Sequence, residues 1–393
     1  MSRDDYVERM IPSDFRMISG CEDAQTSADV SNVANFKLPD PAGRAGGACT
    51  SALLQILYND HKDTAKDLSF DQVLTKMRGA LKDMGFTQIP QMTGSRPVEL
   101  KAPFHIIPPG FNGTKRAMLI GINYTGQDGA LTGCHNDVEN MKEYLMDVHG
   151  FEEKNIAILR DNGTDYLPTR ANIFWAIQSL VRNSRAGDVV FTHFSGHGGR
   201  AKDDDGDEED GFDECLVPVN YKTAGLIRDD DLYTALVGPM ARGVTVTSLM
   251  DCCHSGTVLD LPYEFKANGV GEARMVMPAA FGIEHLKKLV QRFHESMKEK
   301  RNEIMKKEFK EFADAMLLPG EGCNGDDVVK LFKDGFQAKY KAQGLYLSYN
   351  DCAKLLGDWN AEFPKASVTP KGWFMGFHIN PSLVRPAFRT YGM

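Results

Sequence analysis

Two short segments of this 393-residue chain hold residues whose types and order suit nucleophilic chemistry. The first is Ser195-Gly196-His197-Gly198-Gly199, which directly follows the apolar run Val190 to Phe194. The apolar run predicts a buried strand, and the glycines predict a tight, exposed turn. His197 is therefore expected at a strand end, between residues with almost no side chain. A histidine buried in a core needs no such bare flanks, and the turn offers backbone N–H groups to a developing oxyanion. The second segment is Asp251-Cys252-Cys253-His254-Ser255-Gly256, which follows the apolar run Val244 to Met250. A cysteine there is exposed yet positioned. Its attacking form is the thiolate, which needs a nearby base or positive field. His197, 56 residues before Cys253, can supply one if a single crossover joins two parallel strands.

The rival reading of the same residues is a metal site built from His197, Cys252, Cys253 and His254. Adjacent cysteines rarely ligate one zinc, and no Cys-x-x-Cys pair completes a tetrahedron. The thiol and imidazole reading is therefore preferred.

The elements that must carry these residues follow from the hydrophobic pattern. Residues 1–100 contain a strand-like Phe15 to Ser19, helical patterns near 45–58 and 69–84, and an extended stretch at Thr87 to Gln91. Residues 101–115, with Pro108-Pro109-Gly110 and Gly113, read as a linker. Residues 116–265 alternate short apolar runs (117–122, 156–159, 189–194, 244–250) with helical patterns near 134–147, 168–183 and 229–238. Such alternation predicts an α/β fold with a mostly parallel sheet and helices on both faces. In that architecture chemistry sits just beyond the carboxyl ends of the strands. Residues 266–393 are expected to form a mainly helical C-terminal extension. There Leu286, Leu289, Val290, Phe293, Met297, Ile304, Met305, Phe309, Phe312 and Met316 recur at helical spacing, as a long amphipathic helix or a hairpin of helices.

Composition excludes several classes. A net charge of -9 argues against a general nucleic-acid binder and suits a protein that attracts metal ions or basic peptides. No run of apolar residues is long enough to span a membrane. The polar, acidic start lacks the features of a signal or transit peptide, so a cytoplasmic protein with reduced thiols is expected.

The two motifs resemble the paired catalytic motifs of metacaspases, in the caspase and legumain clan. In the family pattern Asp-x-Cys-His-Ser-Gly the nucleophile aligns with Cys253, and Cys252 is its neighbour. The resemblance extends through Arg116 to Tyr124, Leu131 to Val138 and Gly211 to Pro218. Ser19 to Asp29, Gly47 to Leu53 and Gln88 to Gln91 are similar to the family's small subunit. Here that piece precedes the catalytic region, as in type III metacaspases. The likeness covers about residues 10–265 and implies a caspase-like fold, with residues 1–100 completing the sheet of residues 116–265.

What the resemblance implies is a cysteine endopeptidase that cuts after Arg or Lys, with His197 as acid and base and Cys253 as nucleophile. Asp137 and Asp251 match the acids of the specificity pocket, and Cys134 and Ser195 match residues that line it. A cationic side chain does need buried carboxylates. Backbone N–H groups at Gly198 and Cys253 are the expected oxyanion donors. Calcium is the expected cofactor, at Asp213, Asp229, Asp230 and Asp260. The acidic run from Asp203 to Glu214 is not an EF-hand, because an acid and no glycine would stand at the sixth position. The expected partners are peptides or proteins with Arg or Lys before the cut bond, with no nucleic acid and no membrane, and the chain is expected to be a monomer. Two alternatives use the same fold without hydrolysis: a catalytically silent scaffold and a calcium-responsive interaction protein.

Overall fold

The computed structural model describes residues 7–8, 10–20, 29–30, 46–62, 68–83, 85–86, 89–202, 212–252, 258–266, 275, 283–319, 326–340, 347–362 and 368–370. The chain divides into two compact units, Met1–Phe293 and His294–Met393.

The first unit is built on a seven-stranded sheet. In chain order its strands are β1 (Asp14–Ser19), β2 (Gln91–Gly94), β3 (Lys115–Gly121), β4 (Ile156–Arg160), β5 (Val189–Ser195), β9 (Thr245–Asp251) and β10 (Tyr263–Lys266). The three strands between β5 and β9 form a separate small antiparallel sheet: β6 (Gly198–Lys202), β7 (Phe212–Leu216) and β8 (Ile227–Arg228). The spatial order of the main sheet is β10-β2-β1-β9-β5-β3-β4. β1, β9, β5, β3 and β4 run parallel, β2 is antiparallel to β1, and β10 is antiparallel to β2. This is the caspase-like, mostly parallel α/β sheet that the residue pattern and the resemblance imply.

Burial explains the order. Every residue of β5 is buried, which fits its interior place between β9 and β3. β4 alternates partly exposed and buried positions and closes one edge. β1, from the start of the chain, inserts beside β9 with Ser19 opposite Met250. Helices α1 (Ala48–Lys62), α2 (Phe70–Asp83) and α3 (Cys134–Asp147) contribute to a core with Leu119, Phe191 and Leu249. Helix α4 (Arg170–Asn183) contributes to the core of the opposite face with Ile120, Val190 and Val246. Local chemistry starts two of the helices. Ser69 and Gln72 form a reciprocal capping box ahead of α2, and Thr169 Oγ1 accepts the Asn172 N–H at 3.2 Å ahead of α4.

Two boundaries differ from expectation, and one choice left open by the sequence is decided. Of the stretch read as extended, Thr87 and Gln88 lie outside the described residues, and the strand begins at Gln91, after Pro90, which has no N–H to give a ladder. The helix expected near 229–238 is one α-turn, Asp229–Leu232, followed by a widened turn in which the Gly238 N–H reaches the Tyr233 carbonyl. Residues 283–316 form one unbroken helix, α5, and not a hairpin. Within the second unit Met305, Phe309 and Phe312 of α5 pack with Phe332 and Phe336 of α6 (Asp326–Tyr340) and Leu356 of α7 (Tyr349–Glu362). Ile304, read from spacing as part of that stripe, is 50% exposed. Among the described residues no helix is long and apolar enough to cross a membrane.

Candidate active site

Parallel pairing of β5 with β9 sets Ser195 directly opposite Asp251. β5 ends at Ser195, two residues before His197, and β9 ends at Asp251, two residues before Cys253 in the sequence. Cys253 lies outside the described residues. Cys252 is fully buried among apolar side chains that include Met250, Leu259 and Leu261.

His197 is held by four contacts. Its backbone N–H donates to Tyr124 Oη at 3.0 Å, and its carbonyl accepts the Val217 N–H at 3.1 Å. The Tyr124 hydroxyl in turn donates to the Val217 carbonyl at 2.7 Å. The Tyr124 and His197 rings lie 4.7 Å apart, tilted by 34°. Finally, His197 Nε2 sits 2.6 Å from the Gly129 carbonyl oxygen. A carbonyl only accepts, so Nε2 carries the proton and Nδ1 is the basic nitrogen of the neutral ring. Burial pushes the Tyr124 phenol well up, which keeps its donor proton in place at neutral pH. A Cβ at Gly196 would come within 3.1 Å of both Tyr124 Oη and Phe194, so the bare position lets the turn close on Tyr124.

Tyr124 has a φ of 50°, unusual for a side-chain-bearing residue and a source of about 1–3 kcal/mol of strain. Asp161 holds it there by accepting the N–H groups on either side, from Asn123 at 2.8 Å and Thr125 at 3.2 Å. His135 Nε2 meets the same carboxylate at 2.6 Å. Burial alone would raise the Asp161 carboxyl, but the bonds to His135, Asn123 and Thr125 carry it below the usual range. Tyr124, Gly129 and Asp161 have no motif of their own. Their one sequence signal is the glycine-rich turn after an apolar strand.

The two acids expected to form a specificity pocket come together on the same level. Asp137, in the first turn of α3, has no exposed surface, and Asp251 has 4%. Ser195 Oγ donates to Asp137 Oδ2 at 2.6 Å. The Gly47 N–H donates to both Asp137 oxygens, at 2.9 and 2.8 Å, and the Thr50 N–H to Asp251 Oδ2 at 2.8 Å. Cys134 opens α3 one turn before Asp137 and is buried. The helix comes that close because Gly121 has no Cβ, which would stand 2.4 Å from the Cys134 carbonyl. Gly47, Thr50 and His193, which lies under Thr50, were not singled out by the sequence.

A second acidic group forms where the small sheet meets the turn Asp229–Leu232. Carboxylate oxygens of Asp213, Asp229 and Asp230 all lie within 4.8 Å of one another. Asp213, Asp229 and Asp260 are buried. Burial, and then the charge of Asp260, pushes the Asp229 carboxyl far above the ordinary range, despite N–H bonds from Glu214 and Asp230. Arg228 pairs with Asp213. Buried carboxyl oxygens at this spacing fit a hard, oxygen-seeking divalent cation. The acidic stretch 203–210 lies outside the described residues.

Comparison with known proteins agrees with this geometry. Residues 115–262 match the family described as metacaspase, peptidase C14 domain, and residues 2–100 match the one described as caspase domain. The chain is 57% identical over 261 residues to metacaspase III c of Phaeodactylum tricornutum, covering 66% of this chain and 77% of that protein. It is 49% identical over 160 residues to metacaspase-1B of Aspergillus oryzae, covering 40% of this chain and 38% of the other. It is 48% identical over 161 residues to metacaspase-1A of Neurospora crassa, with coverage of 40% and 36%. The chain thus spans most of the first relative and well under half of the other two. A histidine and a cysteine motif at neighbouring carboxyl strand ends, on a caspase-like sheet, together with these relatives, mean that the chain belongs to the metacaspases, a family of cysteine peptidases.

Proposed function

We propose that this cysteine peptidase is an endopeptidase that hydrolyses the peptide bond after Arg or Lys and is activated by calcium. The observation that carries the catalytic pair is the register of β5 on β9. Ser195 faces Asp251 at the ends of adjacent parallel strands, and in the sequence His197 and Cys253 each follow these residues by two positions. Neighbouring strands lie about 4.8 Å apart, within reach of a thiol and an imidazole. The burial of Cys252 supports Cys253 as the nucleophile.

In this reading Nδ1 of His197 takes the Cys253 proton while Nε2 stays bonded to Gly129. The thiolate attacks the scissile carbonyl carbon, and N–H groups at Gly198 and Cys253 face the oxyanion. His197 then gives its proton to the leaving amine and activates a water that releases the acyl group. The carboxylates of Asp137 and Asp251 supply the negative charge that a guanidinium or ammonium needs, and they would repel an acidic side chain.

Asp213, Asp229 and Asp230, with Asp260, would hold calcium. Bound there, the cation supplies the positive charge that relieves the repulsion of these acids and orders the segments that carry them. The test is an assay of purified protein on peptides ending in Arg, Lys and Asp, with calcium and with excess chelator. Cleavage after Arg or Lys that depends on calcium is expected. Cleavage after Asp, or full activity in chelator, would overturn the corresponding half of the reading. A folded protein inert on every peptide would be the silent scaffold.

A further inference from the structure

We propose that Gly47 and Thr50, at the amino end of α1, are the positioning residues that make Asp137 and Asp251 converge on the substrate's cationic side chain. This rests on the Arg or Lys reading above and adds which residues set it.

Two buried carboxylates that approach one point repel, and something must offset the repulsion. α1 has 15 residues, and its first N–H groups have no partner within the helix. The Thr50 N–H, in the helix's first turn, goes to Asp251, and the Gly47 N–H, from the residue just ahead of the helix, goes to Asp137. The positive end of the helix reinforces both bonds. Asp137 and Asp251 belong to the catalytic half of the chain, 90 and 201 residues from these donors. The acids are therefore not a finished pocket until residues 46–50 dock on them.

Steric fit makes Gly47 particular. A Cβ there would stand 2.2 Å from Asp251 Oδ2 and 2.9 Å from Asp137 Oδ2. Gly47 has no positive φ, so its need for hydrogen at Cα comes from the approach of the acids and not from backbone strain. The point where the two carboxylates converge is the space that this hydrogen leaves open.

Thr50 is fixed from below. Its Oγ1 lies 3.2 Å from Nε2 of His193, which is buried in the middle of β5 two residues before Ser195. His193 Nδ1 has no hydrogen-bond partner among the described residues, so its bond to Thr50 is the one that orients the ring. Burial pushes the His193 imidazole down to about 3, so it is neutral at working pH and adds no positive charge beneath the acids. The chain of contact runs His193, Thr50, Asp251 and then the substrate.

The experiment compares the unmodified protein with Gly47→Ala, Thr50→Val and Thr50→Ser in saturating calcium, on peptides ending in Arg, Lys and norleucine. Gly47→Ala is expected to raise KM for Arg and Lys peptides at least about tenfold while kcat changes little, because a pocket interaction is lost and the chemistry is not. Alkylation of Cys253 by uncharged iodoacetamide should proceed at the unmodified rate. Thr50→Val, which keeps the N–H and deletes the hydroxyl, should raise KM by a few fold, and Thr50→Ser should restore it. Unchanged KM in Gly47→Ala with preference for Arg and Lys intact overturns this inference alone. An unmodified protein that cleaves the norleucine peptide as well as the Arg peptide overturns the specificity reading and this inference with it. If Gly47→Ala does not fold, equal KM for Thr50→Val and Thr50→Ser decides against the proposal.

Discussion

Asp137 with Asp251, and Asp229 with its acidic neighbours, are two groups of buried carboxylates in one unit, and their surroundings differ in kind. The first pair meets backbone N–H groups at the positive end of a long helix and a serine hydroxyl. Asp229 also accepts two backbone N–H groups, from Glu214 and Asp230, but it sits among Asp260, Asp230 and Asp213, and burial with these charges raises its carboxyl all the same. The difference teaches that burial alone does not decide what an aspartate is for. Donors fixed by the fold hold one pair in place, whereas the other group would gain its missing positive charge from the cation proposed above.

The largest expected effect tests whether both groups serve one nucleophile. Cys253→Ala should lower kcat/KM at least about a thousandfold, because covalent catalysis disappears. It should leave the calcium-induced rise in melting temperature unchanged. A variant with substantial activity would move the nucleophile elsewhere and leave the two groups unrelated to it.

Next is the isosteric change from Asp to Asn in each group, for which opposite signs are expected. Asp251→Asn should cost about a hundredfold in kcat/KM on Arg peptides, roughly 2.7 kcal/mol, and lower stability by about 1.5–3 kcal/mol through loss of a charged hydrogen bond. Asp229→Asn should leave the calcium-free protein as stable as before or more so, because folding no longer has to protonate a carboxyl that is ionised in the unfolded chain. Thermal melts in chelator measure both. Equal destabilisation by the two changes would erase the distinction.

Calcium should raise the melting temperature in line with about 2.7 kcal/mol at a hundredfold excess over its dissociation constant. Asp230→Ala should remove most of that rise, and Thr50→Val should not. Loss of the calcium shift in Thr50→Val would mean that the two groups are coupled.

A smaller effect of pH comes from beneath the first pair. Unfolded histidine titrates near 6.5, whereas folded His193 is held to about 3. Between these values the unfolded chain binds a proton that the folded chain does not, so stability falls as pH drops below about 6.5. The loss attributable to His193 at pH 5 is about 2 kcal/mol, by the conversion of 1.36 kcal/mol per pH unit. His193→Gln should flatten this slope in denaturant titrations from pH 7 to 5. An unchanged slope would show that His193 does not set it.

Smallest is a control that touches neither group. Thr169→Ala should cost about 1 kcal/mol of stability through loss of the α4 cap, with KM and the calcium shift unchanged.

The sequence by itself determined the elements and the catalytic motifs. Apolar runs at 117–122, 189–194 and 244–250 became β3, β5 and β9 to within two residues at each end, because strands buried on both faces leave a continuous apolar signal. The motif around His197 stood out because glycine is needed where a turn must close tightly. Asp137 and Asp251 were legible only through the resemblance, since one acid in a helix's first turn reads equally as a favourable cap. Only the tertiary structure decided how the acids are held. Gly47 meets Asp137, Thr50 meets Asp251 and His193 meets Thr50 across sequence separations of 90, 201 and 143 residues, and no local pattern encodes such contacts. Gly47 lay within a helical pattern near 45–58, and Tyr124 just past an apolar run. Hydrophobic periodicity is a short-range property written along the chain. The meeting of a helix terminus with two distant carboxylates is set by the order of strands in the sheet, which exists only once the chain has folded.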